Sequence, residues 1–207
     1  MIKGAKICGV SDVKTVKFIL SHPYPAKFIG FITNYKKSKR YVDLETLKKL
    51  TDLNDRKIFF VSVLVDPDDE ILDKIQTLKF DYYQLYDVEP ERTELIKKKY
   101  NKKIITALTI KNLKDVERYK SYEGISDIIL FDGKGYEKSI SFDHNLLNIV
   151  PNDIIKMVAG NINIDNIPKL KNTNFYIDLS GSLENKEGKK DLQKIDYFLK
   201  SMKKYEY

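Results

Sequence analysis

One cysteine and two histidines in 207 residues leave no internal disulfide and no closed Cys/His zinc site to expect. No apolar run approaches the roughly 20 residues that span a bilayer. The N-terminus also lacks a basic segment followed by an apolar stretch and a cleavage site. These absences point to a cytoplasmic protein with no membrane partner. The turn Gly9-Val10-Ser11-Asp12 lacks the G-x-G-x-x-G spacing of a dinucleotide-binding fold. There is no dense basic tail and no aromatic nucleic-acid motif, although the formal net charge is +7. Lys48-Lys49, Lys97-Lys98-Lys99 and Lys203-Lys204 scatter along helix-like segments and read as solvated faces. The basic excess permits a phosphorylated metabolite as ligand, and no nucleic-acid partner is expected.

With 42% hydrophobic residues, the chain is long enough for one sizeable core and short for two, so residues 1–207 read as a single domain. Eight apolar runs recur at intervals of roughly 25 residues: Ala5 to Cys8, Phe28 to Phe31, Ile58 to Val65, Tyr82 to Leu85, Ile104 to Leu108, Ile128 to Phe131, Ile154 to Ala159 and Phe175 to Leu179. Helical stripes lie between them, among them Leu44, Leu47 and Leu50, then Ile71, Ile75 and Leu78, and finally Leu192, Ile195, Leu199 and Met202. Continuous apolar strands joined by crossover helices are buried on both faces and parallel, and eight such units suggest a (βα)8 barrel of the TIM type. A doubly wound open sheet is the main rival. The helices near Asp143 to Ile149 and Asp165 to Leu170 have the weakest patterns.

Active sites of such barrels lie at the C-terminal ends of the strands. Cys8 ends the first run, Asp132 follows the sixth, Gly160-Asn161 the seventh and Ser180-Gly181-Ser182 the eighth. The small residues after the seventh and eighth strands suit backbone N–H binding of a phosphate. Cys8 reads either as a small buried hydrophobe or as a catalytic base. Ser11 is placed to cap a helix from about Asp12, with Val13, Val16 and Leu20 on one face, and that helix's positive end would favour thiolate. Lys6 and Cys8 point to the same side. Lys6 either lowers the thiol pKa or is neutralised by an acidic residue such as Asp178. His22 and His144 read as surface residues.

The ordered motifs resemble the phosphoribosylanthranilate isomerase family of tryptophan biosynthesis along nearly the whole chain. Lys6-Ile7-Cys8-Gly9-Val10 is similar to its opening K-I-C-G-[IL], and Gly30-Phe31 with Lys37-Ser38-Lys39-Arg40-Tyr41-Val42 to its G-F and S-x-R-x-[IV] segments. Leu130-Phe131-Asp132 resembles L-L-D, Asp178-Leu179-Ser180-Gly181-Ser182-Leu183-Glu184 resembles D-V-S-S-G-V-E, and Gly188-Lys189-Lys190-Asp191 matches G-x-K-D. There are departures. Gln84-Leu85-Tyr86-Asp87 stands where the family has Q-L-H-G, Ala159-Gly160-Asn161 where it has S-G-G, and the glycine-rich loop is reduced to Gly133 through Ser141.

The resemblance implies a cofactor-free, metal-free Amadori rearrangement of a phosphorylated small molecule by a monomer or homodimer. It implies Asp132 as general acid and Cys8 as general base. It further implies that Arg40 grips the anthranilate carboxylate, that backbone N–H groups of Gly160, Asn161, Gly181 and Ser182 hold the phosphate, and that Asp178 contacts the substrate or pairs with Lys6. The competing expectations are another sugar-phosphate isomerase or epimerase on the same barrel, and a non-catalytic anion or RNA binder.

Overall fold

The computed structural model describes residues 2–133, 140–170 and 174–205. Eight strands form a closed parallel ring in chain order. They are β1 (Gly4–Cys8), β2 (Phe28–Ile32), β3 (Phe59–Val65), β4 (Tyr82–Tyr86), β5 (Lys103–Thr109), β6 (Ile128–Asp132), β7 (Lys156–Val158) and β8 (Tyr176–Leu179). Pairing of β1 with β8, in which Lys6 stands opposite Asp178, closes the ring. Helices α1 (Val13–Ser21), α2 (Leu44–Thr51), α3 (Asp69–Ile75), α4 (Pro90–Tyr100), α5 (Leu113–Glu117), α6 (Ile167–Leu170) and α7 (Leu192–Met202) alternate with the strands. Among its described residues, the connection between β6 and β7 carries a 3-10 turn, His144–Ile149, where the sequence pattern is weak. This is the (βα)8 barrel expected from the sequence. No helix among the described residues is long and apolar enough to cross a membrane.

Strand parity divides the core into two regions. Ile7, Ile29, Phe31, Phe60, Leu64, Tyr83, Ile129 and Ile177 face the helices in one cluster. Phe28, Val61, Val63, Tyr82, Ile105, Leu130 and Met157 face inward in another. At the N-terminal end, Phe28 packs against Phe59, Tyr82 and Tyr176 with ring centroids 5.5, 5.6 and 5.1 Å away. That aromatic plug fills the bottom of the barrel, so the polar interior residues gather at the opposite end.

Several local expectations are corrected. Asp12, not Ser11, caps α1, accepting from the Thr15 backbone N–H at 2.8 Å, because the cap position lies one residue before the helix begins at Val13. Val13 is exposed, and Thr15, Val16 and Ile19 form the buried face. Leu78 lies past the end of α3, and Leu44 is half-exposed. The seventh strand is shorter than its apolar run. Lys156, its first residue, donates back to the main-chain carbonyls of Val150 and Ile154 in the preceding loop at 3.3 and 3.2 Å. His22 is buried, with Nε2 3.2 Å from Asp196 of α7, so it ties the end of α1 to the last helix.

The Lys6 ammonium donates to Asp178 Oδ2 at 2.8 Å, and Lys6 is fully buried. Removing one partner of a buried pair strands the other charge, which typically costs about 3–5 kcal/mol. Lys6→Met is expected to lose stability on that scale in urea unfolding, and Lys6→Met with Asp178→Leu to recover much of it. Equal losses in the single and double variants would show that the pair itself is not what stabilises the seam.

Candidate functional site

The mouth of the barrel is built from the last inward-facing residue of each strand. Cys8 ends β1, Tyr86 ends β4 and Asp132 ends β6. Register links Tyr86 to Ala107 on β5, and Asp132 to Thr109 on the same strand. Lys6 lies one layer below Cys8. Gly30 faces both across β2, and a Cβ there would stand 2.9 Å from Lys6 Cε and 3.1 Å from Cys8 Sγ. A glycine at this position leaves the space that the lysine side chain occupies.

Lys6 and Cys8 thus share the interior as the alternation of the strand requires, and of the two alternatives for Lys6 the structure shows the pair with Asp178. Burial pulls the Lys6 pKa down, but Asp178 and Cys8 outweigh it and raise the pKa, holding the ammonium charged. The expectation of a depressed thiol pKa is corrected. Burial pushes the Cys8 thiol up, and Lys6 recovers only part of that shift. The positive end of α1 does not help, because the Asp12 carboxylate already occupies it as the cap. Burial likewise pushes Asp178 up against the pull of Lys6.

Arg40 projects from the β2–α2 loop toward the β8 loop. Its Nε and Nη2 donate to Glu184 at 2.5 and 2.9 Å, a fork matched to a carboxylate. Glu184 also accepts from the Lys190 ammonium at 2.8 Å, and Lys190 reaches the Ser180 carbonyl at 3.0 Å. Ser180 Oγ in turn donates to the Cys8 carbonyl at 3.1 Å. The guanidinium and the strand that carries the thiol are therefore joined by one chain of hydrogen bonds. Burial pushes the Lys190 ammonium down despite Glu184 beside it. A cavity of about 400 Å³ opens between Tyr35, the Lys37 to Arg40 loop, Glu184 and Gly188.

Gly160 and Asn161 follow β7, both at positive φ, +100° and +54°. A Cβ on Gly160 would stand 2.4 Å from the Ile140 carbonyl oxygen, so the loop after β7 packs directly on the end of the loop after β6. Gly181 and Ser182 are exposed in a short 3-10 turn after β8, the neighbouring strand. The reduced loop read from Gly133 to Ser141 falls largely outside the described residues, at 134–139.

Sequence reasoning assigned no role to Glu184, Lys190 or Tyr86. The first two stand inside motifs, but Arg40, the residue they help to hold, is 144 positions from Glu184. Tyr86 Oη donates to Asp132 Oδ2 at 2.9 Å. Two further polar groups in the interior, the Gln84 amide and Asp178 Oδ1, have no hydrogen-bond partner among the described residues. Unmade bonds of this kind cost about 1–3 kcal/mol each, a cost that a polar ligand in the mouth would remove. Among the described residues no cluster of His, Cys, Asp or Glu could hold a metal ion.

The sequence pattern of the N-(5'-phosphoribosyl)anthranilate isomerase family matches residues 5–201. The enzyme of that name from Brucella canis is 36% identical over 208 aligned positions, which cover 95% of this chain and 92% of the relative. The crystal structure of the Thermotoga maritima phosphoribosyl anthranilate isomerase superposes with a TM-score of 0.86 at 27% identity, covering 99% of this chain and all of that one. A phosphoribosyl anthranilate isomerase in complex with reduced 1-(o-carboxyphenylamino)-1-deoxyribulose 5-phosphate is similar with a TM-score of 0.84 at 26% identity, covering 99% of this chain and 100% of the other.

Because burial dominates at Cys8, thiolate absorbance in the free protein is expected to grow in only above the ordinary thiol pKa of about 8.5. In Lys6→Met, which loses the cation that stabilises thiolate, it should appear at still higher pH. Thiolate already present at neutral pH would contradict this balance of burial and charge.

Proposed function

The chain belongs to the N-(5'-phosphoribosyl)anthranilate isomerase family, and from that membership we propose which of its side chains carry the reaction. The enzyme converts the aminoaldose N-(5-phosphoribosyl)anthranilate into the aminoketose 1-(2-carboxyphenylamino)-1-deoxyribulose 5-phosphate in tryptophan biosynthesis. Opening the furanose ring requires a proton on the ring oxygen. The iminium so formed acidifies the C2 proton, which a base then removes.

Asp132 is the acid and Cys8 the base. The observation that carries this assignment is their placement: both end inward-facing strands at the same mouth, on β6 and β1, three strands apart around the ring. A sugar lying between them meets one group on each side. The thiol is the minor partner in charge when the site is empty. The cationic iminium, formed only after ring opening, adds to Lys6 the positive charge that favours thiolate at the step where it is needed. Asp178 acts by holding Lys6 beneath the thiol, and a direct contact of Asp178 with substrate is part of the same proposal, supported by its unpartnered Oδ1.

Arg40 binds the anthranilate carboxylate. Glu184 takes one edge of the guanidinium, which leaves further N–H donors to reach the substrate and limits the rotamers that must be ordered on binding. The phosphate rests on backbone N–H groups of Gly160, Asn161, Gly181 and Ser182, which lie on adjacent strands' loops as a shared anion cradle requires. All these residues come from one chain, which fits a monomer as well as a homodimer, and we infer a cytoplasmic setting.

Loss of the substrate's anthranilate fluorescence on mixing with freshly generated N-(5-phosphoribosyl)anthranilate tests the assignments. Cys8→Ser and Asp132→Asn are expected to lose about 10²–10⁴-fold in turnover. Arg40→Ala is expected to raise KM roughly 10–100-fold, as for loss of a charged hydrogen bond. Full turnover in either Cys8→Ser or Asp132→Asn would remove that residue from the mechanism, and an unchanged KM in Arg40→Ala would remove Arg40 from substrate binding.

A further inference from the structure

We propose that Tyr86 is a positioning residue for the general acid: its phenol fixes the Asp132 carboxyl group and stabilises the carboxylate that forms as Asp132 gives its proton to the ring oxygen. The inference rests on the reading of Asp132 as the acid. It concerns a position where the chain departs from the Q-L-H-G segment of the family it resembles, carrying tyrosine in place of histidine.

The geometry is specific. Tyr86 and Asp132 end β4 and β6, with β5 between them, and the inward residue of β5 opposite Tyr86 is Ala107. That small side chain leaves room for the phenol to cross β5 and reach Asp132 Oδ2 at 2.9 Å. Both residues are buried, Tyr86 at 4% and Asp132 at 5% exposure, so the bond is shielded from competing water.

A hydrogen bond from a neutral hydroxyl is stronger to a carboxylate than to a carboxylic acid. The Tyr86 bond therefore tightens as Asp132 loses its proton, and it stabilises the transition state of ring opening more than the bound substrate. The phenol stays protonated and able to donate. Burial raises its pKa well above the ordinary value, reinforced by the titratable groups that face it: Asp132 from β6, Asp178 from β8 and Cys8 from β1. The sign follows. Removing the hydroxyl makes Asp132 a weaker acid, so Asp132 keeps its proton to higher pH but transfers it more slowly.

Tyr86→Phe keeps the ring and deletes only the donor. In single-turnover measurements of ring opening, its maximal rate is expected to fall roughly 10–100-fold, the scale of a hydrogen bond to a charged group, with half-saturation unchanged. The alkaline limb of the rate profile should move to higher pH. Tyr86→His, which restores a donor, should recover part of the rate and move the limb back. A wild-type rate and limb in Tyr86→Phe would overturn the proposal. So would a slowed rate with an unmoved limb, which would leave Tyr86 a purely structural role. Asp132→Asn run in parallel separates the two levels: if it is inactive while Tyr86→Phe is unaffected, only the role of Tyr86 fails, and if Asp132→Asn is active, the assignment of the acid fails.

Discussion

The ion pair between Lys6 and Asp178 lies where the barrel closes, across the register that joins the first strand to the last. Much of the mouth takes its form from this contact. Gly30 on the next strand leaves the space that the end of the Lys6 side chain occupies. Cys8 stands one layer above the ammonium and feels it as the main opposition to burial. Two residues past Asp178, Ser180 reaches back to the Cys8 carbonyl and receives Lys190. A seam that would otherwise be closed by apolar packing is thereby made polar at the end where the proposed site lies, while the aromatic plug of Phe28, Phe59, Tyr82 and Tyr176 fills the other end.

Charge in the mouth is arranged in held groups. Lys6 is taken by Asp178, and Arg40 and Lys190 share Glu184. Two carboxylates thus hold three cations, which leaves a local positive excess suited to a substrate with a carboxylate and a phosphate. Such pre-ordering lowers the entropy lost when ligand binds, because the long basic side chains are already fixed. It also places stability and function in tension. The Gln84 amide and Asp178 Oδ1 are buried without partners among the described residues, a cost that a well-packed apolar interior would not carry.

The barrel was legible in the sequence because parallel strands covered on both faces are written as unbroken apolar runs. Ile58 to Val65 and Ile128 to Phe131 could be placed within a residue or two of their observed ends. Elements with little apolar content were less legible: near Asp143 to Ile149 the described residues form a 3-10 turn where a helix is expected, and α6 is a single turn. At the site, the residues at strand ends could be read from position and motif. Long-range partnerships could not. Arg40 and Glu184 are separated by 144 positions, and Tyr86 and Asp132 by 46, so nothing local announces either pair. The thiol pKa is illegible for a related reason. Lys6 beside it was visible, whereas the depth of burial that outweighs Lys6 is a property of the closed barrel.

In the proposed reaction one substrate lies across the mouth between Cys8 and Asp132, with its carboxylate at Arg40 and its phosphate on the loops after β7 and β8. A crystal structure of this protein with reduced 1-(o-carboxyphenylamino)-1-deoxyribulose 5-phosphate bound tests it most directly. The sugar carbons are expected between the thiol and the Asp132 carboxyl, the carboxylate on the edge of Arg40 not taken by Glu184, and the phosphate against the backbone of Gly160, Asn161, Gly181 and Ser182. A ligand held with its carboxylate away from Arg40, or with Cys8 and Asp132 on the same side of the sugar, would contradict it.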